Sequence, residues 1–591
     1  MIVHRTLVPT LIAVALISPA AALGCGAENI RWAGSSNSLY VSGPVACTLT
    51  EVDALSNKSA PSALELVDPD NRIWILRANL RLENGARLNL HGSTLGGDVD
   101  ELRLASPGPR GNIFLRAHWG IIDIRSTRIR SWDEATNSVD VDTADGRAYI
   151  HARSILQAAT PRESRLDIYD SEISHLGYNA AESYGLVWKV LNAPFDQVNV
   201  YGDIVRSYIH GNYMGMYSYG AYGMLIRDNE FANNISYGID PHDDSDSLVI
   251  DRNYSHDNGN HGIICSRRCD DLVITNNLVV NNNHGIMLHR DVTDSLVENN
   301  QSIGNRDTGI VLFESHRNTV RNNEVRNNRH GIRLSLGSED NVVDSNLVTD
   351  NTESGLYFYQ GTDLPETTDG RPKRNTFRAN LIANHRNAIK LKDADSNVFE
   401  NNTLVGIGEM QFHNGVSNRL ADNRLTELLR VRVTADAPRV GGLRIESGAN
   451  AEIKLNPQGE VVLSRPDGQV YGSSSDPISV VVDATGVTLA LNHASMGASA
   501  SLQLRELWMR VAQGAVRVDQ LMWGSASRRW RVQPLVDTGE IEFELGSLPT
   551  GREYSVWRNG VSIGRFPVEA NGRLRFSDRI EGLAVALYEV N

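Results

Sequence analysis

The sequence lacks the excess of basic residues that marks general nucleic-acid binders. Its 591 residues include 57 Lys and Arg against 71 Asp and Glu, which gives a formal net charge of −14 at pH 7. Proteins that bind nucleic acids or anionic membrane surfaces gain affinity through a basic face. We therefore expect neither as a partner, and any acidic polymer that binds must meet a local basic groove.

Long apolar runs are also missing beyond the first residues. No later stretch offers the ~20 uninterrupted apolar residues that a bilayer-spanning helix needs, so we expect no membrane span. The N-terminus has charge at 4–5, an apolar run over 11–17 and small residues over 19–22. This order is typical of a signal peptide, which we place at 1–22 and which predicts a periplasmic or secreted protein. A lipoprotein signal at Cys25 fits less well, because its leucine stands one place too late.

The chain has only four cysteines, and they fall into two pairs: Cys25 with Cys47, and Cys265 with Cys269. An oxidising compartment permits a disulfide in both pairs. Free thiols are the second interpretation. Zinc is the third, because 265–269 lacks a second cluster of Cys or His at metal-ligand spacing. We expect no metal and no cofactor.

One asparagine and one glycine recur every 22 to 24 residues from about residue 200 onward. They are Asn229, Asn253, Asn277, Asn300, Asn323 and Asn346, and Gly238, Gly262, Gly285, Gly309, Gly331 and Gly355. Units of this length are too short for parallel strands joined by a helix, and none has helical periodicity. Coils of strands and turns stack equivalent positions ~4.8 Å apart. Asparagine suits their corners because it tolerates left-handed backbone geometry and can hydrogen-bond from coil to coil.

The asparagine repeat continues at Asn380, Asn402 and Asn423, but the interval from Asn346 to Asn380 grows to 34 residues. The excess lies at 361–372 and predicts an inserted loop over one face of the coils.

Short strand-like runs with hairpin turns replace the repeat beyond about residue 430, as at Asn559-Gly and Asn571-Gly. We predict an all-β protein, in which a right-handed parallel β-helix is followed by a C-terminal antiparallel β-sandwich. The sandwich would cap the solenoid or bind carbohydrate. The predicted parts are a cap segment at 23–69, the β-helix at 70–430, a linker or last coils at 431–474 and the sandwich at 475–591.

Counting from each repeat glycine converts the sequence into a surface map. The fourth position holds His242, Ser266, His289 and Phe313, the fifth Asp243, Arg267, Arg290 and Glu314, and the second Asp240, Ile264, Met287 and Val311. Ionisable side chains thus gather on one edge of successive coils, and 213–222 adds tyrosines. Aromatic rings stack on sugars and a guanidinium matches a carboxylate. The map predicts a groove for an acidic sugar, with substrate-binding residues Tyr217, Tyr219, His289, Arg290 and Glu314.

Two motifs on adjacent coils resemble those of the periplasmic mannuronan C5-epimerases of alginate biosynthesis. They are Tyr-Gly-Ile-Asp-Pro-His-Asp-Asp-Ser at 237–245 and His-Gly-Ile-Ile-Cys-Ser-Arg at 261–267. The resemblance extends from about residue 70 to 360 and implies a right-handed β-helix that inverts C5 of mannuronate. It also implies that His242 is the catalytic base and that Arg267 is the partner of the sugar carboxylate. One departure is His289-Arg290, where the family is expected to have Asp-Arg.

The chemistry of C5 inversion requires these residue types. Removing the proton beside an ionised carboxylate concentrates negative charge, which a cation must offset. The base needs a pKa near the working pH, as histidine has. Asp240 and Asp243 can orient the imidazole. The second proton must come from the opposite face, from Tyr217 or from water.

Several further functions are compatible with the sequence. Expulsion of the 4-linked sugar after the same first step would make the protein a lyase, and hydrolysis of a pectin-like chain would need acids at the centre of the cleft. A non-catalytic carbohydrate-binding solenoid is a third possibility. Asp240, Asp243, Asp244 and Asp246 could instead bind calcium, although they lack the glycine-rich repeat of calcium-binding coils. The expected partner is an acidic polysaccharide such as alginate, and a polysaccharide-export complex is a second candidate.

Overall fold

The computed structural model describes residues 23–56, 62–106, 112–144, 146–192, 194–405, 409–415, 417–421, 423–426 and 539–591, together with the strands between 430 and 534. The predicted signal peptide at 1–22 lies outside the described residues. Among the described helices, none has the length and apolarity required to cross a membrane.

The chain winds into a right-handed solenoid of three long, largely parallel sheets, here named A, B and C. Each coil contributes one strand to sheet B, then one to A and one to C, as in Ile239–His242, Val249–Asp251 and Tyr254–His256. The next coil begins at Ile263–Ser266, which pairs in parallel with Ile239–His242. The β-helix predicted from the repeat is therefore confirmed.

The strand bounds follow the coils in chain order. Sheet A contains Leu23–Gly24, Val45–Cys47, Arg87–His91, Ile121–Arg125, Arg165–Tyr169, Ile204–Val205, Leu225–Arg227, Val249–Asp251, Val273–Thr275, Leu296–Glu298, Thr319–Arg321, Val342–Asp344, Thr376–Arg378, Val398–Glu400, Arg419–Ala421 and Leu443–Glu446. Sheet B contains Ile30–Ala33, Ser38–Ser42, Asn79–Glu83, Phe114–His118, Tyr149–Gln157, Thr160–Arg162, Gly185–Leu191, Met214–Tyr219, Ile239–His242, Ile263–Ser266, Ile286–His289, Thr308–Phe313, His330–Ser335, Ser354–Tyr359, Asn387–Lys392, Glu409–His413 and Arg430–Thr434. Sheet C contains Leu64–Asp68, Ile73–Leu76, Glu101–Ala105, Arg128–Asp133, Ser138–Val139, Glu172–Ser174, Tyr208–His210, Glu230–Ala232, Tyr254–His256, Leu278–Val280, Gln301–Ile303, Glu324–Arg326, Leu347–Thr349, Leu381–Ala383, Thr403–Val405 and Arg424–Thr426.

Parallel pairing begins before residue 70, the boundary that the sequence suggested. Strand Ser38–Ser42 pairs in parallel with Asn79–Glu83. The helix Leu49–Ser56 packs on these first coils through buried Leu49 and Val52. Residues 23–69 thus combine a coil with a capping helix; the short 3₁₀ turns are Ala27–Asn29, Gly34–Ser36 and Ser93–Leu95.

Buried asparagine side chains connect one coil to the next. The Nδ2 of Asn277 donates to Oδ1 of Asn300 at 2.9 Å, and Nδ2 of Asn300 donates to Oδ1 of Asn323 at 3.0 Å. Each also donates to a backbone carbonyl, as Asn300 does to Ile274 at 2.9 Å. Two further ladders were not recognised from the sequence: Asn212, Asn234, Asn258, Asn282, Asn305, Asn328 and Asn351, and Asn318, Asn341, Asn375, Asn397 and Asn418.

Both predicted cysteine pairs are bonded in the structure. Cys25 is joined to Cys47 near the first coil, and Cys265 is joined to Cys269 beside sheet B. The second bond closes a tight turn that contains Arg267.

The C-terminal strands pair mostly antiparallel, as predicted for a sandwich at 475–591, but Arg430–Thr434 pairs in parallel with Tyr471–Ser473 and Glu452–Leu455 with Ser501–Leu504. Their bounds are Glu452–Leu455, Val461–Ser464, Tyr471–Ser473, Ser479–Asp483, Gly486–Ala490, His493–Ala494, Ser501–Leu504, Leu507–Val511, Val516–Trp523, Arg528–Pro534, Glu540–Leu545, Glu553–Arg558, Val561–Pro567, Leu574–Arg579 and Ala586–Val590. Trp530 stacks on Tyr588 with ring centroids 5.3 Å apart, and Phe543 lies 4.8 Å from both Phe576 and Tyr588. These buried rings fill the space between the two sheets.

We predict that Asn300→Ala lowers the free energy of unfolding by about 3 kcal/mol, because it leaves buried partners on two neighbouring coils unpaired. Chemical denaturation followed by circular dichroism measures the loss. Gln301→Ala, an exposed position on the next strand, should change the stability by less than about 0.5 kcal/mol. Equal effects of the two substitutions would contradict a structural role for the ladder.

Candidate active site

The residues at the fourth position of the glycine map form a row on the outer face of sheet B, together with Tyr219. In the sheet register Tyr219 pairs with His242, His242 with Ser266, and Ser266 with His289. His289 pairs in turn with Phe313. The map counted from the repeat glycines is therefore confirmed, and residues of successive coils lie ~4.8 Å apart along this row.

His242 ends its strand with its side chain about one-third exposed. Its Nδ1 forms an ion-pair contact with the carboxylate of Asp243. The backbone N–H of Asp243 also points at Nδ1, at 3.0 Å. Because the carboxylate contact is charge-assisted, we assign the ring proton to Nδ1. Nε2, which has no hydrogen-bond partner among the described residues, is then the nitrogen that can accept a proton.

Neighbouring carboxylates control the protonation of this imidazole. Burial alone would lower the pKa of His242, but the hydrogen bond to Asp243 and the charges of Asp240 and Asp243 raise that pKa above its ordinary value. Burial raises the pKa of Asp240 to about 7, although His242 and a hydrogen bond with Ser266 oppose the rise. The pKa of Asp243 is lowered, since His242 and Arg268 outweigh the effect of its burial. The site thus holds an ionised Asp243 beside an imidazole whose pKa is raised.

Arg267 follows His242 by one coil and one position, in the disulfide-closed turn. Its backbone lies in the left-handed region, with φ of +106°. Its Nη2 donates to both carboxylate oxygens of Glu366, at 2.9 and 3.0 Å. Arg267 therefore holds a carboxylate next to the coil of His242.

Arg268 was not predicted from the sequence, although it stands at the sixth position after a repeat glycine. Its Nη2 donates to Asp243 and, at 2.9 Å, to Asp244. Asp246 accepts the backbone N–H of Asp270 at 2.8 Å. The aspartates considered for calcium therefore already have protein partners, and Asp243 and Asp244 share Arg268. Within the described part of the chain, no three His, Cys, Asp or Glu side chains form a group that could hold a metal.

Glu314 has a different position from the one predicted for a substrate-binding residue. Its carboxylate is fully buried and accepts the backbone N–H groups of Glu366 and Thr367. Arg290 lies beside it and donates to Glu366 at 3.2 Å and to the carbonyl of Leu364 at 3.2 Å. The inserted loop covers Glu314, which a bound polymer therefore cannot contact.

The remaining predicted contacts stay on the exposed face of sheet B. Tyr217 lies with its ring 5.5 Å from that of His242 and 5.1 Å from that of Tyr184. Burial, and after it the charge of Asp240, raises the pKa of Tyr217, so its phenol keeps its proton at neutral pH. His289 stacks on Phe313 at 4.8 Å, and burial lowers its pKa to about 4. His289 is thus neutral and lies two coils, or ~10 Å, from His242.

A row of basic side chains precedes the site on sheet B and was not predicted from the sequence. His118 pairs with Arg153, Arg153 with Lys189, and Lys189 with Tyr219, which pairs with His242. The coils here are longer than 24 residues, so counting at the regular period missed them. Arg153 and Lys189 both form ion pairs with Glu182, so the row offers an acidic polymer two cations whose charge Glu182 partly offsets.

We predict that Asp243→Asn lowers the pKa of His242, because the substitution removes the carboxylate that favours the charged imidazole. Titration of the His242 ring by NMR measures the change. Asp244→Asn is the matched control, since Asp244 pairs with Arg268 and has no contact with the imidazole. An unchanged His242 pKa in Asp243→Asn would show that the contact does not influence the base.

Two family models match parts of the solenoid. The model described as "Right handed beta helix region" matches residues 162–302. The model described as "Periplasmic copper-binding protein (NosD)" matches residues 264–364 and 295–437. Both matches fall on the repeating coils.

Curated sequence relatives carry the name mannuronan C5-epimerase. A protein of Pseudomonas aeruginosa is 31% identical over 228 residues, which are 38% of this chain and 39% of the relative. A protein of Azotobacter vinelandii is 35% identical over 260 residues, which are 42% of this chain and 46% of the relative. The chain thus spans less than half the length of these relatives.

A solved structure shares the architecture. The crystal structure of the periplasmic alginate epimerase AlgG matches with a TM-score of 0.52 and 22% identity, over 66% of this chain and 85% of that one. At this identity the match establishes the fold. The β-helix of this chain is therefore related in sequence and in fold to the mannuronan C5-epimerases.

Proposed function

We propose that this protein binds an alginate-like polyuronate and inverts mannuronate residues at C5. The observation that supports this most directly is the adjacency of His242 and Arg267 on neighbouring coils of one exposed face. A base and a carboxylate-binding guanidinium can thus contact the same sugar. The sequence relatives named as mannuronan C5-epimerases support the same reaction.

In the proposed mechanism, Nε2 of His242 removes the C5 proton of the sugar. Arg267 offsets the charge that develops on the carboxylate, and Asp243 holds the imidazole by Nδ1. Arg268 fixes Asp243 in turn, and so acts as a positioning residue. A proton then returns to C5 on the opposite face from water or from Tyr217, which is protonated at neutral pH.

The polymer would lie along the outer face of sheet B. Lys189 stands two coils before His242 and Arg153 three coils before it, and Arg290 stands two coils after it. These cations are spaced for the carboxylates of several successive uronates. A periplasmic or exported location, with a polysaccharide-export complex as partner, belongs to the same proposal and can be tested by cell fractionation and co-purification.

A lyase is the competing proposal, because elimination of the 4-linked sugar begins with the same proton abstraction. Protonated Tyr217 beside His242 could serve the leaving oxygen as an acid. Incubation with polymannuronate separates the two reactions. Guluronate signals in the proton NMR spectrum indicate epimerisation, whereas growing absorbance of unsaturated uronates without inversion indicates a lyase.

Hydrolysis and passive binding of the polymer have less support from the geometry of the groove. Hydrolysis would need two available acids at the centre of the cleft, but Asp240 is buried and Asp243 is bonded to His242 and Arg268. A non-catalytic binding solenoid would leave the polymer unchanged after prolonged incubation despite measurable affinity.

We predict that His242→Asn lowers the turnover rate by about 10²- to 10⁴-fold, because it removes the base, while polymer affinity stays nearly constant. Proton NMR of treated polymannuronate measures the rate. His256→Asn, on sheet C away from the groove, is the matched control and should keep full activity. Substantial turnover in His242→Asn would reject His242 as the base.

We further predict that Arg267→Leu lowers kcat by roughly 100-fold and raises KM, because Arg267 binds the carboxylate in the ground state and stabilises it more strongly as charge develops. Steady-state kinetics measure both constants. Arg321→Leu removes an equally exposed guanidinium from sheet A and should leave them unchanged. A higher KM with an unchanged kcat would limit Arg267 to binding.

A further inference from the structure

The insertion at 361–372 extends back over the coils that precede it. It leaves sheet B after Ser354–Tyr359, yet its Glu366 contacts Arg267 on a coil four turns earlier. At ~4.8 Å per coil this is a reach of ~19 Å. The loop therefore lies along the edge of the groove rather than outward in solvent.

A buried carboxylate fixes the backbone of this loop. The side chain of Glu314 is fully buried and accepts the backbone N–H of Glu366, the backbone N–H of Thr367 at 2.7 Å and the Thr367 hydroxyl at 3.3 Å. The Thr367 hydroxyl also lies 3.2 Å from Nε2 of His316. The backbone of Glu366 is thus held in place, while its side chain remains partly exposed.

The Glu366 carboxylate bridges two guanidinium groups of the groove. Both oxygens accept from Arg267, and one also accepts from Arg290 at 3.2 Å. The side chains of Arg267 and Glu366 are 41% and 39% exposed. The pair is therefore accessible to solvent and to a polymer that enters the groove.

We propose that Glu366 is an internal competitor for the uronate carboxylate and determines how tightly the site binds a polyuronate. This inference rests on the proposed function, which assigns the sugar carboxylate to Arg267. In the free protein the carboxylate of Glu366 occupies that position. A substrate uronate binds by exchange, and Glu366 rotates away while Glu314 keeps its backbone beside the groove.

Exchange of carboxylates has a defined energetic consequence. Arg267 and Arg290 are paired before and after binding, so the polymer gains only the difference between its own carboxylate and that of Glu366. Ion pairs with this exposure contribute about 0.2 to 1 kcal/mol. Removing the competitor should therefore tighten binding by roughly 1.4-fold to fivefold.

The test compares Glu366→Gln with Asp363→Asn, using polymannuronate as the probe and isothermal titration calorimetry to measure Kd. Glu366→Gln keeps the size of the side chain and removes its charge. Asp363→Asn makes the same charge change on the same loop. The Asp363 side chain is exposed, and its Oδ2 lies 3.6 Å from Nη2 of Arg290. We expect Glu366→Gln to lower Kd about threefold and Asp363→Asn to change it much less. The gain should shrink when Arg267→Leu is added to Glu366→Gln.

Contrary results can overturn this inference alone or the proposed function as well. Unchanged or weaker binding by Glu366→Gln would overturn the inference and leave the proposed function intact. So would an equal gain in Asp363→Asn, or an undiminished gain in the Arg267→Leu background, because either would reflect general charge. If wild type and both single variants fail to bind polymannuronate, the polyuronate proposal fails together with this one.

Discussion

Parallel pairing between successive coils is the constraint on which the site depends. This pairing places each residue ~4.8 Å from the equivalent residue of the next coil. The length of a coil therefore determines which residues become neighbours. The buried asparagine ladders hold this register, because each amide needs its counterpart on the next coil. His242 and Arg267 can contact one sugar only if the coil that joins them keeps its length and its strand register.

The groove combines opposite charges at short range. The protein as a whole is acidic, yet Arg153 and Lys189 lie on sheet B, and Arg267 and Arg290 lie in the turns that directly follow two later strands of that sheet. Around His242 the local charge is negative instead, since two aspartates lie near the imidazole and raise its pKa. Under the proposed function, a polyanion is attracted along this groove, its carboxylate contacts a guanidinium and its C5 proton contacts the imidazole.

The sequence predicts the positions of site residues well where the coils have a regular length and poorly where they do not. Glycine counting correctly aligned His242, Ser266 and His289 because their coils differ by one residue at most. The same counting could not reach Lys189, whose coil is longer. Arg268 stands one position beyond the map, and the same regular period could have predicted its place. The position of Glu366 could not be predicted in this way, because its contact with Arg267 spans 99 residues and depends on how the inserted loop folds. That loop also explains why Glu314 is buried rather than exposed.

Asp240 is the feature of this face that stability alone does not explain. It is 1% exposed, and its Oδ1 has no hydrogen-bond partner in the described structure. Burying a carboxyl with one unpaired oxygen costs free energy, and the corresponding positions on the next coils hold Ile264 and Met287. An apolar residue there would fit the scaffold better. With a pKa raised to about 7, Asp240 can gain or lose a proton close to neutral pH, and its charged form raises the pKa of His242. If His242 is the base, as proposed, this buried carboxyl influences its protonation at a cost in stability.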